Sequence, residues 1–401
     1  MVIQIRKQEP QFNLLQKLTL FLLILVGMDF MNQYKIIAMA ACVIFLVLKV
    51  RFVVNVDFLW LMLFAASFTL FSPAGDRVFT SLIAPFIFPL AYCVGFNFLP
   101  TDDQNLSEKN FRTAVITVSM GPFIHFILNF LYNLGKDIER NTYDFWSKDI
   151  LSATGQATLA LMMLVVSIVM LFTNVRGRTK VLSVLVVLAI FIYNLMLAGR
   201  TLFVMLLLIF AVSLLFLIAK GNKKSKKYKT LLIIVLITLA LVVLYNVNLF
   251  GVQDAIESSN FYDRFFGRLA TEDIEEDSRM DRKIFYIENF SRSFWGGINL
   301  RPICGYAHDI FLDSYDEAGI FALIAIIAFS ISVVMRLIRC ITSKTLKFET
   351  QQLILGMYVA ILAQFMIEPI IQGMPWMFIL FCFIHGMVTR LDQTSKNQMI
   401  N

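Results

Sequence analysis

Apolar stretches of near-bilayer length recur along the chain, separated by mostly short polar segments. A run of about 20 apolar residues is long enough to cross a bilayer as a helix. The pattern predicts twelve helical spans, at 12–31, 35–50, 56–72, 78–99, 112–134, 151–172, 181–199, 201–219, 230–250, 318–336, 353–371 and 375–389. Lys17 and Asp29 interrupt the first and the second is short, so these two are expected as a tilted or shallow hairpin. A medium polar loop is predicted at 135–150 and a large one at 251–317. The large loop is too aromatic and too mixed in charge for a disordered linker. Within it, Ile284, Phe285, Ile287, Glu288 and Phe290 predict a helix with an apolar stripe, ended by Gly296 and Gly297. Phe261, Tyr262, Phe265 and Phe266 are expected at the membrane interface. No internal repeat or soluble domain is visible, so residues 1–401 read as one all-α membrane domain with 251–317 as its major loop.

Composition agrees. The chain is 58% hydrophobic and 16% charged, with mean hydropathy +0.74, whereas soluble domains are about 45–50% apolar and about 25% charged. A net charge of +7 suggests nucleic acid in a soluble domain. Here the Lys and Arg residues lie mainly in short loops, where they orient spans instead. Lys49, Arg51, Lys109, Arg112, Arg176, Arg178, Lys180, the run Lys220 to Lys229, Arg336, Arg339, Lys344, Lys347 and Arg390 then fall on the cytoplasmic side, with both termini. The loops at 73–77, 135–150 and 251–317 fall outside. The first apolar run leads into further spans without a small-residue cleavage site, so no removed signal peptide is expected. Of five cysteines only Cys304 falls in the large loop, so no disulfide framework is expected.

Candidate chemistry gathers at the outer face. His308, one of three histidines, sits in Cys304-Gly-Tyr-Ala-His-Asp, just before a span. Read as a helix, this stretch puts His308, Leu312, Tyr315 and Gly319 on one stripe and Asp309, Asp313 and Asp316 on a neighbouring one. Arg200 opens a span after Leu197-Ala-Gly. It either snorkels to the headgroups or faces a cavity and binds an anion. The large loop adds Arg264, Arg268, Arg279, Arg282, Arg292 and Arg301, and an acidic run at 272–277. Arg77 is a further candidate in an outer loop. In Glu368-Pro369 the proline breaks the helix, and the acid either reaches the interface, the favoured reading, or lines a cavity. His125 reads as a packed or helix-pairing residue, and His385 as remote from the outer face. There is no Walker-type loop and no zinc-type His/Cys spacing, so neither nucleotide cofactor nor metal is expected.

Three features in order resemble the O-antigen ligase and polysaccharide polymerase superfamily. They are Leu197-Ala-Gly-Arg-Thr201 at an outer helix end, Asp277-Ser-Arg279 with Phe294-Trp-Gly-Gly297 in the large loop, and His308-Asp309 followed after nine residues by Gly319-Ile-Phe-Ala322. The predicted layout, with its large loop before the third-last span, is similar as well. Asp309 stands where that family usually has an amide or hydroxyl residue. Ala322 stands where its ligases carry Gly, Thr or Tyr, and the Arg279–His308 interval is short for a ligase. The resemblance implies a GT-C-like membrane glycosyltransferase with a periplasmic loop, in the bacterial inner membrane. Its substrate would be an undecaprenyl-diphosphate-linked oligosaccharide, and it would act by inversion without a metal. His308 would be the general base and Arg279 its catalytic partner, with Arg200, Arg282 and Arg77 binding substrate. The partners implied are this lipid-linked glycan, membrane lipids and a chain-length regulator protein, with no nucleic acid. A polymerase of surface polysaccharide is the reading that fits the departures. A ligase to lipid A–core is the alternative, and a secondary transporter or flippase, from another class, stands behind both.

Overall fold

A computed structural model describes residues 12–49, 53–73, 83–100, 103–136, 141–173, 175–197, 199–221, 248, 251–258, 262 and 278–400. The predicted span 230–250, the lysine run at 222–229, Arg77, Arg264, Arg268 and the acidic run at 272–277 lie outside the described residues, apart from Asn248.

Helices dominate the described residues. They are α1 (Leu14–Gly27), α2 (Tyr34–Lys49), α3 (Val56–Phe71), α4 (Ile87–Phe98), α5 (Gln104–Asn133), α6 (Ala153–Phe172), α7 (Gly177–Met196), α8 (Arg200–Lys220), α9 (Val252–Glu257), α10 (Ser278–Glu288), α11 (Arg301–Cys304), α12 (Ile310–Thr342), α13 (Phe348–Phe365), α14 (Ile370–Gly373) and α15 (Pro375–Ile400). Among the described residues, five helices are long and apolar enough to cross a membrane: α5, α6, α7, α8 and α12. Shorter apolar helices stand at Leu14–Gly27, Val56–Phe71 and Ala84–Phe98. The chain is an all-α membrane protein by length and composition of its helices.

Sequence chemistry sets the helix starts. Asn13 and Gln16 form a capping box on α1. Asn55, Asp103, Ser152 and Asp309 cap α3, α5, α6 and α12 through side-chain oxygens that take first-turn N–H groups. Their apolar sides then bury against one another. Helix α6 lies at the centre, buried along most of its length between α5, α7, α8 and α13. Helix α15 packs against α4 so closely that a Cβ on Gly95 would lie 1.9 Å from the Phe383 carbonyl oxygen.

Four details differ from the sequence expectation. Helix α5 begins at Gln104, eight residues before the predicted span, because Asp103 caps it and its first turns are polar yet buried. The medium loop holds a small hairpin, β1 (Asn141–Tyr143) paired antiparallel with β2 (Ile150–Ser152). His125 is packed, as one of its two sequence readings has it, at 3% exposure, with Nε2 2.7 Å from Asp144 in the hairpin's turn. Third, Arg336 and Arg339 are not in a loop, since α12 runs on to Thr342. Arg336 instead lies 2.7 Å from Asp57 and 3.0 Å from Asp392. His385 completes this network, with Nε2 3.3 Å from Asp57 and Nδ1 2.7 Å from the Tyr358 hydroxyl. Finally, α13 ends at Phe365, since Pro369 cannot continue it.

Candidate active site

The predicted helical stripe through His308 does not form. Helix α12 starts at Ile310, and His308 precedes it with φ +56°, in the left-handed region. A non-glycine residue holds that conformation only when its surroundings impose it. Asp313 does so. One carboxylate oxygen accepts from the Ala307 N–H at 2.8 Å and the other from the Asp309 N–H at 3.0 Å, one on each side of His308. Asp316 gathers the preceding turn in the same way, accepting from the N–H groups of Asn299, Leu300 and Arg301. The acidic stripe therefore faces inward and shapes the loop's backbone. It does not present an acidic face beside the imidazole.

The two glycine-bearing pieces of the sequence signature meet here. Gly319 interrupts α12 with φ +76°, and Gly296 has φ +81°. Across them Gly297 N–H donates to Glu317 O and Ile320 N–H to Phe294 O. A Cβ on Gly296 would lie 2.8 Å from the Gly319 nitrogen, too close for any side chain.

Helix α10 supplies the opposite wall. Arg279, Arg282, Lys283 and Tyr286 stand at i, i+3, i+4 and i+7, one face of a helix. Tyr286 is fully buried with Leu300 and Ala307, and its hydroxyl donates to Gly305 O. That anchor holds the three cations against the His308 loop and the end of α13. There the turn at Glu368–Pro369 frees carbonyl groups that a continuing helix would have used. Lys283 Nζ donates to Met366 O at 2.9 Å and Arg279 Nη1 to Ile367 O at 3.3 Å. Arg279 Nη2 also lies 3.3 Å from Glu368 Oε1, and Lys283 Nζ lies 3.3 Å from Asp309.

Arg282 is placed differently. Its Nη1 lies 3.3 Å from Nε2 of His308, and among the described residues no carboxylate is within ion-pair distance of it. Because a guanidinium only donates, Nε2 is the accepting nitrogen and the proton of the neutral ring sits on Nδ1. Nδ1 has no hydrogen-bond partner among the described residues and lies 4.0 Å from the second oxygen of Glu368. Burial, followed by the charges of Arg279, Arg282 and Lys283, pushes the His308 pKa down to about 4. The ring is therefore neutral near pH 7, beside three cations of which two are paired with Glu368 and Asp309.

Of the sequence candidates, the structure brings His308, Arg279 and Arg282 together. Arg200 opens α8 as expected, beside Asn194 and Ala153 through Gly199. The side-chain partners of His308 among the described residues are Arg282 and Glu368. Arg77 lies outside the described residues. Two further members join His308, Arg279 and Arg282: Glu368, whose less favoured cavity-lining reading the structure supports, and Lys283. Glu368 does not reach the interface: it is 7% exposed and turned onto Arg279 and His308, so the favoured sequence reading of it is corrected. Lys283 was passed over although its spacing from Arg279 already put both on one face. Comparison with known proteins returns no match to a family model and none to a curated protein.

Proposed function

We propose that this protein is a membrane glycosyltransferase that joins undecaprenyl-diphosphate-linked repeat units into a surface polysaccharide. In this reading it works at the outer face of a bacterial inner membrane, with twelve spans and both termini cytoplasmic. The observation that carries the reading is the single cationic face of α10 wrapped around a neutral imidazole, with Arg282 on its Nε2.

That arrangement suits transfer from a diphosphate leaving group. The donor diphosphate binds Arg282, which pairs with no carboxylate among the described residues, with Arg279 and Lys283 adding positive potential. A guanidinium matches phosphate oxygens with a planar pair of N–H groups. As the anomeric C–O bond breaks, negative charge grows on the diphosphate, and fixed cations stabilise it most in that state. When Arg282 turns to the diphosphate, the Nε2 lone pair is released. Nε2 then takes the proton of the acceptor hydroxyl while its oxygen attacks the anomeric carbon from the opposite face. The glycosidic bond forms, the diphosphate leaves and the imidazolium carries the proton. Glu368, beside Nδ1, favours that imidazolium, and the bound diphosphate offsets the cations that depress the base. No redox partner or nucleotide enters the balance.

The test is reconstitution. The full chain is purified into proteoliposomes and given undecaprenyl-diphosphate-linked repeat units. Products on the lipid carrier longer than one unit support the polymerase. Transfer only to lipid A–core selects the ligase. Movement of the lipid-linked glycan between leaflets without new glycosidic bonds overturns both in favour of a flippase.

A further inference from the structure

Beside the His308 loop, a cavity of about 320 Å³ opens between the outer ends of α2, α3, α12 and α15 and the start of α4. Ligand pockets for small molecules run from about 300 to about 1,000 Å³, so this one has room for a compact group such as a sugar ring. Its chemistry is divided. One side is apolar, with Phe68, Phe88 and Ile379. The other is polar and centred on Glu317. That carboxylate accepts from Ser72 Oγ at 3.1 Å and from Gln372 Nε2 at 3.0 Å, and lies 3.6 Å from Arg301 Nη1. Gln372, on the cavity wall, has a buried carbonyl oxygen without a hydrogen-bond partner among the described residues. An amide oxygen in that state calls for a donor. Arg301 lies over the Tyr306 ring at 4.9 Å, which keeps the guanidinium beside Glu317.

The same two chain segments build the cavity and the His308 site. Tyr306 is two residues before His308, and Gln372 is four residues after Glu368. Gln372 Nε2 also reaches Asp313 O at 3.5 Å, on the residue that fixes the His308 loop. The α10 cations approach His308 along a different wall. A group held in the cavity and a diphosphate held by α10 would thus flank the imidazole loop.

We propose that this cavity is the binding subsite for a hydroxyl-bearing sugar of the acceptor glycan. Glu317 and the Gln372 carbonyl accept its hydroxyls, and the aromatic side takes its C–H face. Lys35 and Arg301 line the cavity together with Glu317, so its polar wall carries both signs of charge and offers hydroxyls both donors and acceptors. The assignment rests on the glycosyltransferase reading and names where the second substrate sits.

The experiment is steady-state transfer by the full chain in proteoliposomes. The probes are a lipid-linked oligosaccharide as donor and the free oligosaccharide repeat unit, lacking diphosphate, as acceptor. Each is titrated with the other saturating, for wild type, Gln372→Ala and Glu317→Gln. A further variant, Phe68→Ala, enlarges the apolar side without touching a polar group. Expected for Gln372→Ala and Glu317→Gln is an acceptor KM raised about tenfold or more, the effect of roughly one lost hydrogen bond to a polar group, with the donor KM unchanged. Phe68→Ala raises the acceptor KM alone as well. The donor KM reports folding in every variant. Acceptor KM values equal to wild type in all three variants, with the wild type active, overturn the subsite and leave the transferase reading standing. A wild type that forms no glycosidic bond overturns the transferase reading and the subsite with it.

Discussion

Nη1 of Arg282 lies 3.3 Å from Nε2 of His308, so the site's one accepting ring nitrogen is covered by a cation and not by an acid. Removing that cation has a defined sign. With Arg282→Ala, the His308 pKa rises from about 4 towards its ordinary value but stays depressed, since burial is the larger cause. The acid limb of the pH–rate profile moves to higher pH, and the rate at neutral pH falls about 10²–10³-fold for the lost anion contact. An acid limb that stays in place removes Arg282 from the imidazole's environment.

The same depression makes stability depend on pH. Between the ordinary value of 6.5 and about 4, the unfolded chain holds a proton at His308 that the folded chain does not. Stability therefore falls as pH drops through that window, and the loss is complete below about 4. His308→Asn removes the titration, and asparagine tolerates the left-handed backbone better than most residues. Thermal unfolding in detergent should show wild type losing more stability than His308→Asn between about pH 7 and about pH 4.5. Equal losses contradict the buried neutral imidazole.

Glu368 bridges Arg279 and His308 from the break that Pro369 forces in the chain. Glu368→Gln keeps the shape and removes the charge beside Nδ1. Turnover should fall on the order of 10²-fold, the scale of general-base assistance, with the donor KM nearly unchanged. A raised donor KM at normal turnover assigns Glu368 to holding Arg279 alone.

At the other end of the bundle, Asp57 is fully buried and lies 2.7 Å from Arg336. Removing one partner of a buried pair leaves an uncompensated charge and costs about 3–5 kcal/mol. Arg336→Ala should lower the unfolding temperature and the amount of protein in the membrane. Activity per folded molecule should persist, because the network shares no residue with the His308 site. Normal thermal stability in Arg336→Ala contradicts this assignment.

Much of the helical layout was legible because apolar runs of bilayer length are dictated by simple burial. The signature residues were legible as well, and the structure packs Gly296 against Gly319 and sets α10 beside His308. The local geometry of His308 was not legible. Helical spacing continues smoothly through 308–319, and the Asp309 cap together with the two N–H groups taken by Asp313 holds His308 out of the helix. Glu368 was hidden for a related reason. An acid before proline at a span end looks solvent-bound until α10 is folded across it, and that contact joins residues 89 positions apart. Arg336 looked like a loop cation because its acids, Asp57 and Asp392, are distant in sequence.

The most direct measurement is a surface-glycan ladder from cells carrying His308→Ala, Arg282→Ala or the wild-type chain as the sole copy, with equal amounts in the membrane verified. The His308–Arg282 site predicts that both variants collapse the ladder to a single repeat unit still joined to its acceptor. A wild-type ladder from both well-expressed variants contradicts the site. Polymer stranded on the lipid carrier, with none joined to its acceptor, contradicts the polymerase in favour of the ligase.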